Sequence, residues 1–185
     1  LRKVDSYKQL EANGFIKTSN RFDVIAYELA EAYGMTMRDA NRYLTELFRV
    51  RPLVLGNRDG FGNDWVRAFA DAGLVPIMLA LKIFDADAFA SVVQKFEIGP
   101  LYHAFSKSEA AMEFMDATWG SYIKFEEGKT PSDEDKVGAR HELLEALVYM
   151  IWCKDRNNSK YQHSYQVLIG RSWGFNSLPR LAKII

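Results

Sequence analysis

The chain has 185 residues, of which 48% are hydrophobic and 26% charged, a balance typical of a folded globular protein. Basic and acidic residues number 24 each, so the formal net charge of zero gives the whole molecule no attraction to nucleic acid or anionic lipid. Any polyanion binding must therefore come from a local basic patch.

Three further features of the sequence indicate the cellular compartment in which the protein is expected. The longest apolar run, residues 74–81, is far shorter than the roughly 20 residues that span a bilayer, so we expect no membrane association. The opening residues show no secretory pattern. Cys153 is the single cysteine, which excludes an internal disulfide. We therefore expect the cytoplasm or another reducing intracellular compartment.

The N-terminal region is predicted to be helical. Alanine and leucine total 36 residues, against 26 for valine, isoleucine and threonine. Apolar residues over 21–33 repeat with a helical period, and Gly34 is expected to end that helix in the left-handed conformation. Thr36 and Asp39 resemble a capping box, which predicts a second helix to about Val50. Its predicted buried stripe is Met37, Ala40, Tyr43, Leu44, Leu47 and Phe48.

The next stretch carries the best β signal. Pro52 is expected to end the second helix, and residues 53–55 to form a short strand leading to a tight hairpin turn at residues 59–60. We place a boundary in this Gly-rich stretch. It separates a helix-turn-helix-like unit with a possible hairpin wing, residues 1–62, from a helical bundle, residues 63–185, in one compact body.

The remainder of the chain is predicted to be almost entirely helical. Pro76 lies near the start of a helix that is apolar on all sides and ends at Phe84, which implies burial. Capping and breaker residues predict the other helix ends: a cap at Asp85, a stop at Gly99-Pro100, a capping box of Ser106 with Glu109, and a cap at Ser132. The predicted fold is mainly α, with at most one short β-hairpin.

The first functional candidate is a helix-turn-helix at residues 22–49. Ala30, Gly34 and Ala40 fall at the spacings of its small residue, its turn glycine and its locking apolar residue. The outward side of the second helix then carries side chains able to pair with base edges and phosphates. The residues predicted to bind nucleic acid here are Arg38, Asn41, Arg42, Thr45 and Arg49, with Arg58 in the following loop. The alternative is two ordinary antiparallel helices with a solvated basic face.

The same region resembles a known family over a short stretch. From Leu29 to Val50, Leu-Ala-Glu is followed by Met-Thr-Met-Arg-Asp-Ala, a pattern similar to the N-terminal helical hairpin of the HU/IHF family. In that family the hairpin dimerises and β arms grip DNA. No segment of this sequence is interpreted as such an arm, so the resemblance assigns no functional residue.

A second candidate is the C-terminal mixture of bases and aromatic rings. Residues 150–185 carry six bases against Asp155 alone, whereas residues 107–149 carry ten acids against five bases. Single-strand binders combine cations that follow phosphates with rings that stack on bases. Alternatively, the rings anchor the segment in the core. The residues predicted to bind nucleic acid here are Lys154, Arg156, Lys160, Arg171 and Trp173.

Catalytic patterns are weaker. The three histidines are far apart, and His141-Glu142 lacks the second histidine of a zinc-protease helix. The glycines at 56–62 lack the Lys-Ser/Thr of a phosphate loop. We therefore predict no enzyme, no metal and no cofactor.

The resulting hypothesis is a non-enzymatic nucleic-acid-binding protein of the regulatory or nucleoprotein type, with DNA or RNA as its partner. The alternative is a protein-interaction or inhibitor module, for example of viral origin, that docks through an aromatic or acidic helical surface. The acidic surface would be the helix face at 109–127, and the aromatic content of 14% also suggests a homo-oligomer.

Overall fold

The computed structural model describes residues 21–55, 73–119 and 132–152, together with Ala182 and Ile185. This part of the chain is 87% helical, with seven helices and no strand among its residues, which confirms the mainly-α class. The helices are α1 (Arg21–Ala32), α2 (Met37–Leu55), α3 (Val75–Phe84), α4 (Ala86–Lys95), α5 (Ile98–Phe105), α6 (Glu109–Trp119) and α7 (Asp133–Trp152). None of the described helices combines the length and apolar character needed to cross a membrane.

Helix α3 lies at the centre of the helical packing. All its residues from Val75 to Leu81 are buried, as the uniformly apolar sequence predicts. It contacts α1 and α2 as well as α4 and α5. Pro76 lies in its first turn, where the missing N–H group would have no helical partner in any case. A helix that is apolar on every side is stable only when other elements surround it, and these four do so.

The later helices complete the same core. Helix α7 packs on α4, α5 and α6, and α6 also contacts α1. The guanidinium group of Arg140 on α7 donates to both carboxylate oxygens of Asp116 on α6, at 2.7 Å each. Most buried hydrophobic residues of α1 and α2, among them Ile25, Leu29 and Tyr43, belong to one cluster with those of the later helices. The described helices thus share a single core.

Two predicted caps are present. A carboxylate oxygen of Asp85 accepts a hydrogen bond from the backbone N–H of Ala88 at 3.0 Å. At the start of α7, the Ser132 hydroxyl accepts from the N–H of Asp135, whose carboxylate accepts from the N–H of Ser132. The Ser132 hydroxyl at 2.7 Å and the Ser132 N–H at 2.9 Å both donate to the Asp135 carboxylate, and these two hydrogen bonds lower the pKa of Asp135 because they stabilise its charged form.

The prediction that Pro52 ends the second helix is wrong. Helix α2 runs through this proline to Leu55, so residues 53–55 are helical and form no strand. A proline removes its own N–H from the helical ladder, and a helix can continue through it at a cost when the flanking residues are held. Val50, two residues before Pro52, is buried in the core. The hairpin turn at 59–60 and the proposed boundary lie outside the described residues.

The predicted stop at Gly99-Pro100 is also wrong. Helix α4 already ends at Lys95, and Phe96 after it takes the left-handed conformation with φ of 59°. Gly99 and Pro100 then lie in the first turn of α5. Proline is tolerated there because the first turn's N–H groups have no helical acceptor.

The capping box predicted from Ser106 and Glu109 does not form. The Ser106 hydroxyl instead donates to the carbonyl oxygen of His103, at the end of α5. Ser108 caps α6: its hydroxyl accepts from the N–H of Ala111 at 3.0 Å. The acid at this cap is Glu28 of α1, which accepts from the Ser108 hydroxyl at 2.5 Å and from the N–H of Ala110 at 3.1 Å. The cap is therefore completed between two helices that are distant in sequence.

Candidate nucleic-acid interface

The turn between α1 and α2 forms as the sequence predicts. Gly34 has a φ of 58°, which a residue without a Cβ adopts at no steric cost. Its N–H donates to the carbonyl of Glu31, and the N–H of Met35 donates to that of Ala30. This pair of hydrogen bonds is a Schellman motif, which satisfies carbonyls at the end of α1. The chain can then reverse within residues 33–36.

Helix α2 starts at the predicted cap. The Thr36 hydroxyl accepts from the N–H of Asp39 at 3.2 Å, and the Asp39 carboxylate accepts from the hydroxyl and the N–H of Thr36. A capping box satisfies N–H groups that the helix leaves without a partner. The start of α2, and with it the position of every later side chain on this helix, is thus set by local hydrogen bonds.

The inner side of α2 is anchored in the core. Tyr43, Leu47 and Val50 are buried. The hydroxyl of Tyr43 donates to the carbonyl oxygen of Pro76 on α3 at 2.9 Å, and its ring meets that of Phe84 edge-on. Burial, and then the neighbouring Tyr33, raise the pKa of the Tyr43 phenol well above its usual range. This contact fixes which side of α2 faces outward.

The α2 residues predicted to bind nucleic acid all lie on the outward side. Arg38, Asn41, Arg42, Thr45 and Arg49 are all exposed. The helix-turn-helix interpretation of α1 and α2 remains a prediction, because this geometry alone also fits an ordinary helical hairpin.

Two residues of the predicted buried stripe are exposed instead. Met37 is 76% exposed and Phe48 is 60% exposed, so the prediction that they belong to the core is wrong. The apolar stripe predicted from the sequence is wider than the core that it meets. Tyr43 and Leu47 are the residues of this stripe that are fully buried, and Tyr43 reaches α3. We define the α2 outer face by its exposed residues: Met37, Arg38, Asn41, Arg42, Thr45, Phe48 and Arg49.

The α2 outer face has two chemically different edges. At 3.6 residues per turn, Met37, Asn41 and Phe48 align along one edge. The arginines at 38, 42 and 49 align along the other edge, with Thr45 between the two. We call these the apolar edge and the arginine edge. The face thus combines an apolar side and a cationic side within one helix width.

The charges on the arginine edge differ in how they are paired. Arg49 donates to the carboxylate of Glu46 at 2.8 and 3.0 Å, in an exposed ion pair of the kind that contributes about 0–1 kcal/mol. Among the described residues, no carboxylate lies within ion-pair distance of Arg38 or Arg42. These two guanidinium groups therefore offer their donors to solvent or to a ligand.

A shallow groove borders the apolar edge. It lies between α1 and α2 and has a volume of about 80 Å³, well below the roughly 300–1,000 Å³ of a pocket for a small-molecule ligand. Its lining residues are Phe22, Asp23, Ala26, Tyr27, Leu44, Leu47 and Phe48. Helical periodicity does not predict this groove, since it places Phe48 in the core. The groove has room for part of one ring or side chain.

The remaining predicted residues lie outside the described part of the chain. These are Arg58, Lys154, Arg156, Lys160, Arg171 and Trp173. The C-terminal binding segment therefore remains a prediction.

No family model, curated protein or solved structure matches this chain. The fold and the exposed helix face define a mainly-α protein with an amphipathic, arginine-bearing helix at its surface.

Proposed function

We propose that this protein binds nucleic acid through the α2 outer face, as a non-enzymatic regulatory protein or nucleoprotein. The observation that carries the proposal is the exposure of all five predicted polar residues on a helix whose opposite side is anchored by Tyr43. A core that fixes one side of the helix holds the other in a constant orientation. A rigid element presents binding groups more precisely than a loop does.

The side chains on this face have the chemistry that nucleic acids require. Arg38 and Arg42 can each donate two parallel hydrogen bonds to a phosphate or to the edge of guanine. Asn41 can pair in the same way with adenine, and Thr45 can donate to a phosphate. Arg49 can leave the weak Glu46 pair at little cost. With no net charge on the whole molecule, local contacts of this kind must supply the affinity.

The protein-interaction module remains the alternative. It depends on the acidic helix face, where Glu109 and Glu113 are exposed on α6, while the carboxylate of Asp116 is bound by Arg140. Partner binding in this case should be lost when the two exposed glutamates are replaced, and it should be unchanged when the arginines of α2 are replaced. The two proposals therefore predict opposite sets of sensitive residues.

The proposal is tested by replacing Arg38, Arg42 and Arg49 together with alanine. Binding to labelled oligonucleotides, single-stranded and duplex, is measured by fluorescence anisotropy over a series of salt concentrations. We expect the affinity to fall sharply. Each lost phosphate contact should flatten the log–log salt slope by about 0.9 for duplex or about 0.7 for single strands. Because the three residues are exposed, each substitution should change the free energy of unfolding by less than about 0.5 kcal/mol.

The matched control replaces Lys95, Lys107 and Lys136, on or next to other helices, with alanine. It removes the same net charge without altering the α2 outer face, so the affinity and the salt slope should stay close to wild type. Equal losses in both triple variants, or wild-type binding by the arginine variant, would refute the proposed interface. Absence of any salt-dependent binding by the wild-type protein would refute nucleic-acid binding through these residues.

A further inference from the structure

We infer that the nucleic acid bound at the α2 outer face is single-stranded, with one unpaired base stacked on Phe48 at the mouth of the groove between α1 and α2. This inference rests on the proposed function and specifies its substrate class. The phosphates on either side of that base follow the arginine edge.

Phe48 is a large aromatic residue that lies exposed on the surface of the protein. Its ring is 60% exposed, although the side chain also forms part of the groove wall. Exposing a large ring to water gives up the hydrophobic free energy that burial would gain. Met37, still more exposed, lies on the same apolar edge. Among the described residues, the other large hydrophobic side chain with comparable exposure is Val137, at 40%, on α7. Met37 and Phe48, two of these three exposed hydrophobic residues, thus lie on the apolar edge of α2.

The shape of the groove fits a flat, partly buried ring. Its other walls include the aromatic side chains of Phe22 and Tyr27. A volume of about 80 Å³ is about half of a 150 Å³ cavity that encloses a whole benzene molecule. A base could therefore enter only by its edge, with its face against Phe48. In this geometry the face of the base stacks on the Phe48 ring while the edge of the base contacts the groove.

The charges around the groove orient the strand. None of the described residues that line the groove is basic, so the groove itself does not attract a phosphate. On the other side of the α2 outer face, Arg38 and Arg42 attract one. The strand is therefore held with a base toward the groove and its backbone over the arginines.

A duplex would not use this surface. In B-form DNA or A-form RNA the faces of the bases are stacked on each other, and only their edges are reached from the grooves. A phenylalanine ring cannot form hydrogen bonds with the polar groups on the base edges. The thymine methyl group is the one part of a base edge that it could contact. Unpaired bases, by contrast, present faces that stack on aromatic side chains, and every base has such a face.

The test compares wild-type protein with three variants at Phe48, using an unstructured single-stranded 12-nucleotide oligonucleotide and a duplex of the same sequence. Phe48→Ala should weaken single-strand binding roughly 5- to 150-fold, the range that follows from the stacking of one base. Phe48→Leu, which keeps the apolar contact without a ring, should lose most of this affinity. Phe48→Tyr should retain it. Val137→Ala, on α7, is the matched control for loss of an exposed apolar group and should bind as wild type.

The salt dependence separates this inference from the proposed function. Phe48 carries no charge, so Phe48→Ala should lower the affinity without changing the log–log salt slope, whereas the triple arginine variant should flatten it. If wild type binds the duplex as well as the single strand, or if Phe48→Ala binds the single strand as wild type does, the inference is wrong and the proposed function stands. If wild type binds neither oligonucleotide, the proposed function and the inference both fail. Thermal unfolding of each variant near the wild-type temperature confirms that the fold is kept.

Discussion

Helices α2 and α3 pack against each other but differ in how packing constrains their residues. Every residue from Val75 to Leu81 of α3 is buried, so each side chain there is held by the core. Helix α2 gives only one side to the core, and packing leaves the side with the arginines free. Helix α3 and the inner side of α2 therefore contribute most of the free energy of folding in this region. The α2 outer face is the place where side chains can be selected for binding.

The largest effect is expected from Ile77→Ala in α3. Ile77 is fully buried, so removing its side chain should lower the free energy of unfolding by about 2–5 kcal/mol, from lost burial and the cavity left behind. Chemical denaturation measures this change. Nucleic-acid binding by the protein that remains folded should be unchanged. A cost below about 1 kcal/mol would show that α3 is not the centre of the core.

A smaller effect is expected from Tyr43→Phe, which removes the hydrogen bond that joins α2 to the carbonyl oxygen of Pro76. The loss should be about 0.5–1.5 kcal/mol near neutral pH, measured by denaturation. Because the pKa of Tyr43 is raised in the folded protein, its contribution is fully present below about pH 10, the unfolded pKa. It declines above that pH, since only the unfolded state ionises readily.

The stability difference between wild type and Tyr43→Phe should therefore shrink as the pH rises above about 10. Melting temperatures of both proteins from pH 8 to pH 11 provide the measurement. A difference that is constant across this range would contradict burial of the Tyr43 phenol in the contact with α3.

The smallest effect is expected from Met37→Ala on the α2 outer face. Helical periodicity predicts Met37 to be part of the core, whereas the structure leaves it 76% exposed. The substitution should change the free energy of unfolding by no more than about 0.5 kcal/mol. Leu47→Ala on the inner side of the same helix is the matched comparison, and should cost about 2–5 kcal/mol. Similar costs for the two variants would remove the distinction between the sides of α2.

The sequence was most informative where the relevant interactions are local. The Gly34 turn and the Thr36–Asp39 box were predictable because each is completed within a few residues. The cap of α6 was not, because its acid is Glu28, about eighty residues earlier in the chain. The spacing of Ser106 and Glu109 predicts Ser106 as the cap, whereas the packing of α1 against α6 brings Glu28 to Ser108.

The candidate site shows the same division. Periodicity correctly placed Arg38, Asn41, Arg42, Thr45 and Arg49 on the exposed side of α2, since charged and polar side chains avoid the core whatever their neighbours are. It misplaced Phe48, because an apolar side chain is buried only where another element covers it. The groove beside Phe48 exists because α1 covers only part of the apolar stripe of α2.

The mainly-α class, the local caps and turn that position α2, and the polar character of its outward side could all be predicted from the sequence. These follow from hydrogen bonds and periodicities that act within a few residues. Tertiary contacts set which apolar residues form the core, where α6 begins, and the exposure of Phe48 beside a groove. Those outcomes depend on which helices meet, and helix contacts arise between segments whose separation along the chain no local pattern encodes.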